Sequence, residues 1–278
     1  MDNRPIGVFD SGLGGLTVVR QLIEHLPQED IVYFGDTGRV PYGTRSRQTL
    51  YGYTRQDCAF LQSRGVKMII AACGTVSSVA PHILEQLPVP AIGVVESAAA
   101  AAAAASQNGR IGVIGTSATI RAGAFQRQVQ QYRPDAQVTG VACPLFVPLV
   151  ENGWIEPGNP VTRQTAEIYL QPMKEAGVDT LILGCTHFPL LRPFLAGILP
   201  GVTLIDSGRQ AALRCAEILR EQGLMAQRER EGTRHFCVSD RTDDFSKVAS
   251  MFLGQPVEED TEWIRLETLE SGCKGDGK

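Results

Sequence analysis

No apolar run in the 278 residues approaches the ~18 positions of a membrane-crossing helix. The amino terminus has no basic segment followed by an apolar core either, because Gly7, Asp10 and a run of glycines interrupt it. A cytoplasmic protein is expected, with no membrane partner. Basic charge is not in excess: Lys+Arg number 26 against 30 Asp+Glu, the net charge is -4, and the arginines are scattered, which argues against a nucleic-acid partner. Cysteine occurs 7 times, an odd count with no Cys-x-x-Cys pair, so neither a disulfide framework nor a zinc ribbon is suggested. Lysine is scarce, and Lys67, Lys174, Lys247, Lys274 and Lys278 all avoid glycine-rich turns and strand ends. A pyridoxal Schiff base therefore has no anchor, and neither cofactor nor metal is expected.

With 43% hydrophobic and 20% charged residues, the chain falls in the globular range and is long enough for two domains. Thr180 to Pro189, TLILGCTHFP, carries the strongest signal. The unbroken run Thr180 to Leu183 reads as a strand covered on both faces, Gly184 ends it, and Pro189 suits the start of a helix through Leu199. Cys185, Thr186 and His187 thus fall at the carboxyl end of a strand, where α/β sheets hold ligands. Val66 to Ala72 repeats the plan, ending in Cys73-Gly74-Thr75 before a helix expected from about Ser78 to Leu87. Two thiols facing one space are the consequence.

Earlier in the chain, the strand Ile6 to Phe9 runs into Asp10-Ser11-Gly12-Leu13-Gly14-Gly15 and a helix from Leu16 to Leu26. Glycines at a helix start favour an anion on the backbone amides. A dinucleotide loop is disfavoured, since the spacing is not Gly-x-Gly-x-x-Gly and Asp10 would face the pyrophosphate. Pro41-Tyr42-Gly43 lies in a polar loop, where Tyr42 either donates to a ligand or caps a turn. Ala98 to Ala105 reads as a closely packed helix. The strand Ile111 to Ile114 ends in Gly115-Thr116-Ser117, much as the first ends in Asp10-Ser11-Gly12, which suggests two like halves. Pro144 to Glu151 is apolar and ends in an acid. Ser207 is the expected cap of a helix through Gln222. Phe236 to Val238, Phe245 to Leu253 and Trp263 to Leu266 read as strand, helix and strand. Cys58, Cys215 and Cys237 read as small buried hydrophobes, and Cys273 as part of a polar tail.

A thiol on each side of a small molecule removes a proton from one face and returns one to the other, which inverts a stereocentre. One cysteine must be thiolate and the other thiol, although a free thiol has a pKa of about 8.5. Asp10, Glu151 and His187 each end an apolar element and are candidate proton carriers; for His187 a scaffold role stays open. General acid and base groups supply only about 10² to 10⁴-fold, so donors at Ser11, Gly43, Thr75 and Thr186 are needed around the developing carbanion.

FDSGLGG (9–15), GD...PYG (35–43), CGT (73–75), PLVENG (148–153) and GCTHFPLL (184–191) together resemble the successive motifs of the glutamate racemases. The resemblance covers about Ile6 to Ser207. It implies two similar α/β domains with mostly parallel sheets and the active site in the cleft between them. The first would comprise 1–97 plus 208–278 and carry Cys73; the second, 98–207, would carry Cys185. It also implies cofactor-independent interconversion of L- and D-glutamate for peptidoglycan, by a cytoplasmic homodimer. Cys73 and Cys185 would then be catalytic, assisted by Asp10, Glu151 and His187. Substrate would be lined by Asp10, Ser11, Tyr42, Gly43, Gly74, Thr75, Thr186 and His187. The segment before the first strand is short, so activation by a cell-wall precursor is not expected.

The family usually has Asn where this chain has Gly74, and that amide would hold substrate; here a backbone amide or a water takes its place. Gly74 motivates two alternatives, a racemase of another acidic amino acid such as aspartate and a non-catalytic binding protein. A Cys-His hydrolase built on Cys185 would leave Cys73 without a role.

Overall fold

The computed structural model describes residues 1–240, 245–257 and 261–272, so Cys273 lies outside it. Its strands are β1 (Ile6–Asp10), β2 (Ile31–Gly35), β3 (Met68–Ala71), β4 (Ala91–Gly93), β5 (Arg110–Gly115), β6 (Gln137–Ala142), β7 (Thr180–Leu183), β8 (Thr203–Asp206), β9 (Arg234–Val238) and β10 (Glu262–Trp263). They form one six-stranded sheet, β10-β9-β2-β1-β3-β4, and one four-stranded sheet, β6-β5-β7-β8. Every strand pairing among the described residues is parallel. Helices cover both sheets, which is why β1, β3 and β7 are buried along their whole length and mostly apolar, with Asp10 the buried acid that ends β1.

The two sheets share one plan. Around the first strand of each, the order β2-β1-β3-β4 is matched by β6-β5-β7-β8. The order reverses between β1 and β3 in one sheet and between β5 and β7 in the other, and such a reversal opens a crevice at the strand ends. Asp10 and Cys73 flank the first crevice; Gly115 and Cys185 flank the second. The duplicated architecture expected from the strand-end likeness is present as topology.

The alanine-rich helix Val95–Ala105 buries Val95, Ala98, Ala99 and Ala102 along one stripe. It packs against the helices Ala124–Tyr132 and Ser207–Glu221, and small side chains let those backbones approach. Ser207–Glu221 packs in turn on Leu16–His25, so a helix formed late in the chain covers the first one.

Several boundaries differ from the sequence reading. The helix after β3 starts at Gly74, directly behind Cys73, and ends at Val79; Pro81–Leu84 forms a separate turn. Pro81 has no amide hydrogen to continue the first helix, which accounts for the break. Beyond Cys185, a 3-10 turn at Phe188–Leu191 precedes the helix Arg192–Ile198. Asp206, rather than Ser207, caps the helix Ser207–Glu221, accepting from the Gly208 and Arg209 amides at 2.9 and 3.1 Å. Ser207 donates instead to the Leu183 carbonyl at 2.7 Å. The last strand is only Glu262–Trp263, and Leu266 already begins the helix Leu266–Gly272.

Candidate active site

The strand ends of the two sheets enclose a cavity of about 360 Å³, a size suited to a small molecule. Ser11, Tyr42, Gly43, Cys73, Gly74, Thr75, Glu151, Cys185, Thr186 and His187 all line it. No lysine or arginine does so among the described residues; hydroxyls of serine and threonine supply much of its polarity.

On the first side, Cys73 immediately precedes the helix Gly74–Val79 and is nearly buried. Its thiol donates to Ser11 Oγ at 3.8 Å. Burial, with the negative charge of Asp10, pushes this thiol up to about 12. Asp10 lies behind the cavity wall rather than on it. Its Oδ2 accepts from the Gly15 amide at 2.9 Å, while Oδ1 has no hydrogen-bond partner among the described residues. Burial raises the Asp10 carboxyl above the ordinary carboxylate value, against the opposing pull of His187.

One amide of the glycine turn is therefore withheld from an external anion, while Ser11 and Gly12 still line the cavity. The Gly15 amide is taken by the chain's own carboxylate. Gly14 serves a different purpose: a Cβ there would stand 2.4 Å from Thr186 Oγ1 and 2.6 Å from the His187 ring. Its absence lets the first helix of one half reach the thiol turn of the other, where Thr17 donates to the Thr186 carbonyl at 3.1 Å.

On the second side, Cys185 Sγ lies 3.8 Å from His187 Nδ1, and His187 Nε2 lies 2.9 Å from Glu151 Oε1. The imidazole also packs edge-on against Phe252, with ring centroids 4.9 Å apart. Burial opposes charge on His187, but its hydrogen bonds to Cys185 and Glu151 outweigh that and raise it to about 10. Glu151 ends the helix Phe146–Glu151 with its side chain 48% exposed, so sulfur, imidazole and carboxylate form a line from the cavity to solvent.

The two sides also touch each other. Thr75 Oγ1 and Thr116 Oγ1 are 3.0 Å apart, and Thr116 in turn lies 3.0 Å from Thr119 Oγ1 while capping the helix Ser117–Ala122. Gly74 faces the Gly184 carbonyl so closely that a Cβ would stand 2.1 Å from its oxygen. Thr116 and Ser117 were not among the expected site residues. The likeness of Gly115-Thr116-Ser117 to Asp10-Ser11-Gly12 was the available signal, since equivalent strand ends face one crevice.

Tyr42 lines the cavity, but its hydroxyl is committed elsewhere. It is hydrogen-bonded to Asp36 and, at 3.0 Å, to Asp57 Oδ2. Arg39 bonds both carboxylates, reaching Asp36 Oδ2 at 2.5 Å and Asp57 Oδ1 at 3.1 Å. Burial, then the Asp36 charge, drives the Asp57 carboxyl well above the usual range. The phenol therefore fixes the loop that bears Gly43 and does not offer its hydroxyl to a ligand.

Comparison with known proteins agrees with this geometry. The sequence profile described as Asp/Glu/Hydantoin racemase matches residues 6–215. The glutamate racemase of Geobacter metallireducens is 46% identical over 253 residues, covering 90% of this chain and 93% of that protein. The glutamate racemase of Francisella tularensis, solved in complex with D-glutamate, superposes with a TM-score of 0.90 at 37% identity, covering 96% of this chain and 100% of that one. The Thermus thermophilus glutamate racemase, in complex with beta-chloro-D-alanine, gives a TM-score of 0.86 at 41% identity, covering 96% and 99%. Paired strand-end thiols on duplicated parallel sheets, matched over nearly the whole length, make this chain a member of the Asp/Glu/Hydantoin racemase family.

Proposed function

We propose that this chain interconverts L- and D-glutamate without a cofactor, using Cys73 and Cys185 on opposite faces of the α-carbon. The observation that carries the reading is the placement of both thiols at equivalent strand ends of two like sheets, lining one cavity. In one direction a thiolate removes the α-proton and the opposite thiol delivers its own, which leaves the protonation states exchanged. Asp10 is the proton acceptor for Cys73; its unpaired Oδ1 and its charge acting on that thiol support the role. His187 and Glu151 serve Cys185, supported by their hydrogen-bonded line to solvent. The carbanion and the substrate carboxylates are met by hydroxyls and amides of Ser11, Gly43, Gly74, Thr75 and Thr186 rather than by a lysine or arginine.

The same reading takes the molecule as two domains, 1–97 with 208–278 and 98–207, in agreement with the strand membership of the sheets. It takes the enzyme as a cytoplasmic homodimer that supplies D-glutamate for peptidoglycan, the role known for the glutamate racemases. Gly74 favours one rival, a racemase preferring aspartate, because the side chain that usually follows the first cysteine is missing. Incubation with L-glutamate in deuterated water decides between them. D-glutamate carrying deuterium at Cα is expected, and a clear kcat/KM preference for aspartate would overturn the glutamate assignment.

A further inference from the structure

At the outer edge of the six-stranded sheet, far along the chain from the cavity motifs, three side chains of different chemistry converge. His235 and Cys237 are two residues apart on β9 and so project from the same face. Glu262 on β10 is the register partner of Cys237, which puts its carboxylate beside both. Glu262 Oε2 lies 2.8 Å from His235 Nε2 and 3.7 Å from Cys237 Sγ, and the three ligand atoms all fall within 4.8 Å of one another. Cys237 is buried at the bottom, whereas the His235 and Glu262 side chains are 48% and 38% exposed, leaving an approach from solvent.

We propose that His235, Cys237 and Glu262 form a binding site for a zinc-class divalent ion, separate from the racemase centre. The donor set is one imidazole nitrogen, one thiolate and one carboxylate oxygen, the mixture zinc prefers at about 2.0 to 2.3 Å, with water completing a tetrahedron. Glu262 is already oriented for this. Arg64 bonds its Oε1 at 2.7 Å and stacks over Phe60, so Oε2 is left as the shared vertex. On binding, the ion takes the position of the protons now held between these groups: the Cys237 thiol proton leaves to solvent, His235 gives up its hydrogen at Nε2 and is left neutral with its hydrogen at Nδ1, and sulfur, nitrogen and oxygen each donate a lone pair to the metal. Because β10 is only two residues long, such a bond fastens the outermost strand to β9. From sequence alone Cys237 reads as a small hydrophobe, since a His-x-Cys pair on a strand becomes a ligand pair only when a third donor arrives from residue 262.

The test is zinc chloride titrated into the full-length chelator-stripped protein, in competition with a chromophoric chelator. Cysteines 73 and 185 are first changed to serine, so that the cavity thiols cannot contribute. One ion per chain is expected. His235→Gln and Cys237→Ser should each weaken binding at least about tenfold, since even outer partners of metal ligands are worth 10 to 100-fold. Cobalt should show a thiolate charge-transfer band that Cys237→Ser abolishes, and His235→Gln, at a half-exposed position, guards against loss of folding. Absence of binding to the Cys73→Ser/Cys185→Ser protein, or affinity unchanged in both ligand variants, would overturn the proposal. Racemase activity of His235→Gln should match that of the unaltered enzyme, which keeps this test independent of the proposed reaction.

Discussion

Gly74 and Gly184 meet backbone to backbone across the cleft, and a Cβ built on Gly74 would stand 2.1 Å from the Gly184 carbonyl oxygen. Backbone atoms cannot rotate away as a side-chain end can, so any larger residue at 74 must move one thiol turn relative to the other. Gly74→Ala is expected to lower kcat/KM by about 10²-fold, the usual consequence of displacing reacting groups by about 1 Å. It should also cost about 1–3 kcal/mol of stability from overpacking. An alanine variant with undiminished kcat/KM would show that the working enzyme never brings the two turns this close.

Removing one thiol should leave half of the exchange chemistry. Cys73→Ala and Cys185→Ala are each expected to reduce racemization by on the order of 10³-fold. Each should still exchange the α-proton of one enantiomer with deuterated water, and the two variants should favour opposite enantiomers. Proton NMR of the Cα–H signal distinguishes this from loss of the substrate site, in which neither enantiomer exchanges.

His187 sets a pH dependence. Its folded value of about 10 lies above the ordinary 6.5, so the imidazolium contributes stability that is fully present below about pH 6.5 and lost as pH rises toward 10. Denaturant unfolding of the unaltered protein should show that loss across this window. In Glu151→Gln the bond at Nε2 is weaker, so the ring should titrate at a lower pH by nitrogen NMR, and the loss of stability should shift with it. An unchanged midpoint in Glu151→Gln would exclude the carboxylate as a cause of the raised value.

Far from the cavity, Lys67 forms a fully buried ion pair with Glu29 at 2.5 Å and donates to the Asp2 and Leu224 carbonyls, each at 2.7 Å. Glu29 also accepts from the Ala226 amide at 2.7 Å. Lys67→Met strands the carboxylate, and a loss of about 3–5 kcal/mol is expected by chemical denaturation. The paired change Lys67→Met/Glu29→Met should recover part of it, because no lone buried charge remains.

The readable parts of the sequence were those encoded locally. An apolar β-branched run broken by a small residue marks β3 and β7, and so places Cys73 and Cys185 at strand ends without any knowledge of what they face. The start of the helix Arg47–Ser63 is likewise set locally, by Ser46, whose hydroxyl accepts from the Thr49 amide. What escaped depends on pairings between distant positions. The closeness of Gly74 to Gly184 joins residues more than a hundred positions apart, and no spacing rule reports it. Tyr42 stays open in the sequence between a ligand donor and a turn cap, because Asp36 and Asp57 reach it only after folding. Lys67 looked unremarkable for the same reason, since its partners lie near residues 2, 29 and 224.

The six-stranded sheet borrows β9 and β10 from beyond the stretch that builds the four-stranded one. On the ribosome, β5 to β8 leave the exit tunnel as one continuous block and can complete their pairing at once. β2 must wait with a bare edge until residues 234–238 are synthesised to cover it. The half bearing Cys185 is therefore finished before the half bearing Cys73, although the latter begins the chain, and a translation arrest between them leaves an open strand exposed to other nascent proteins.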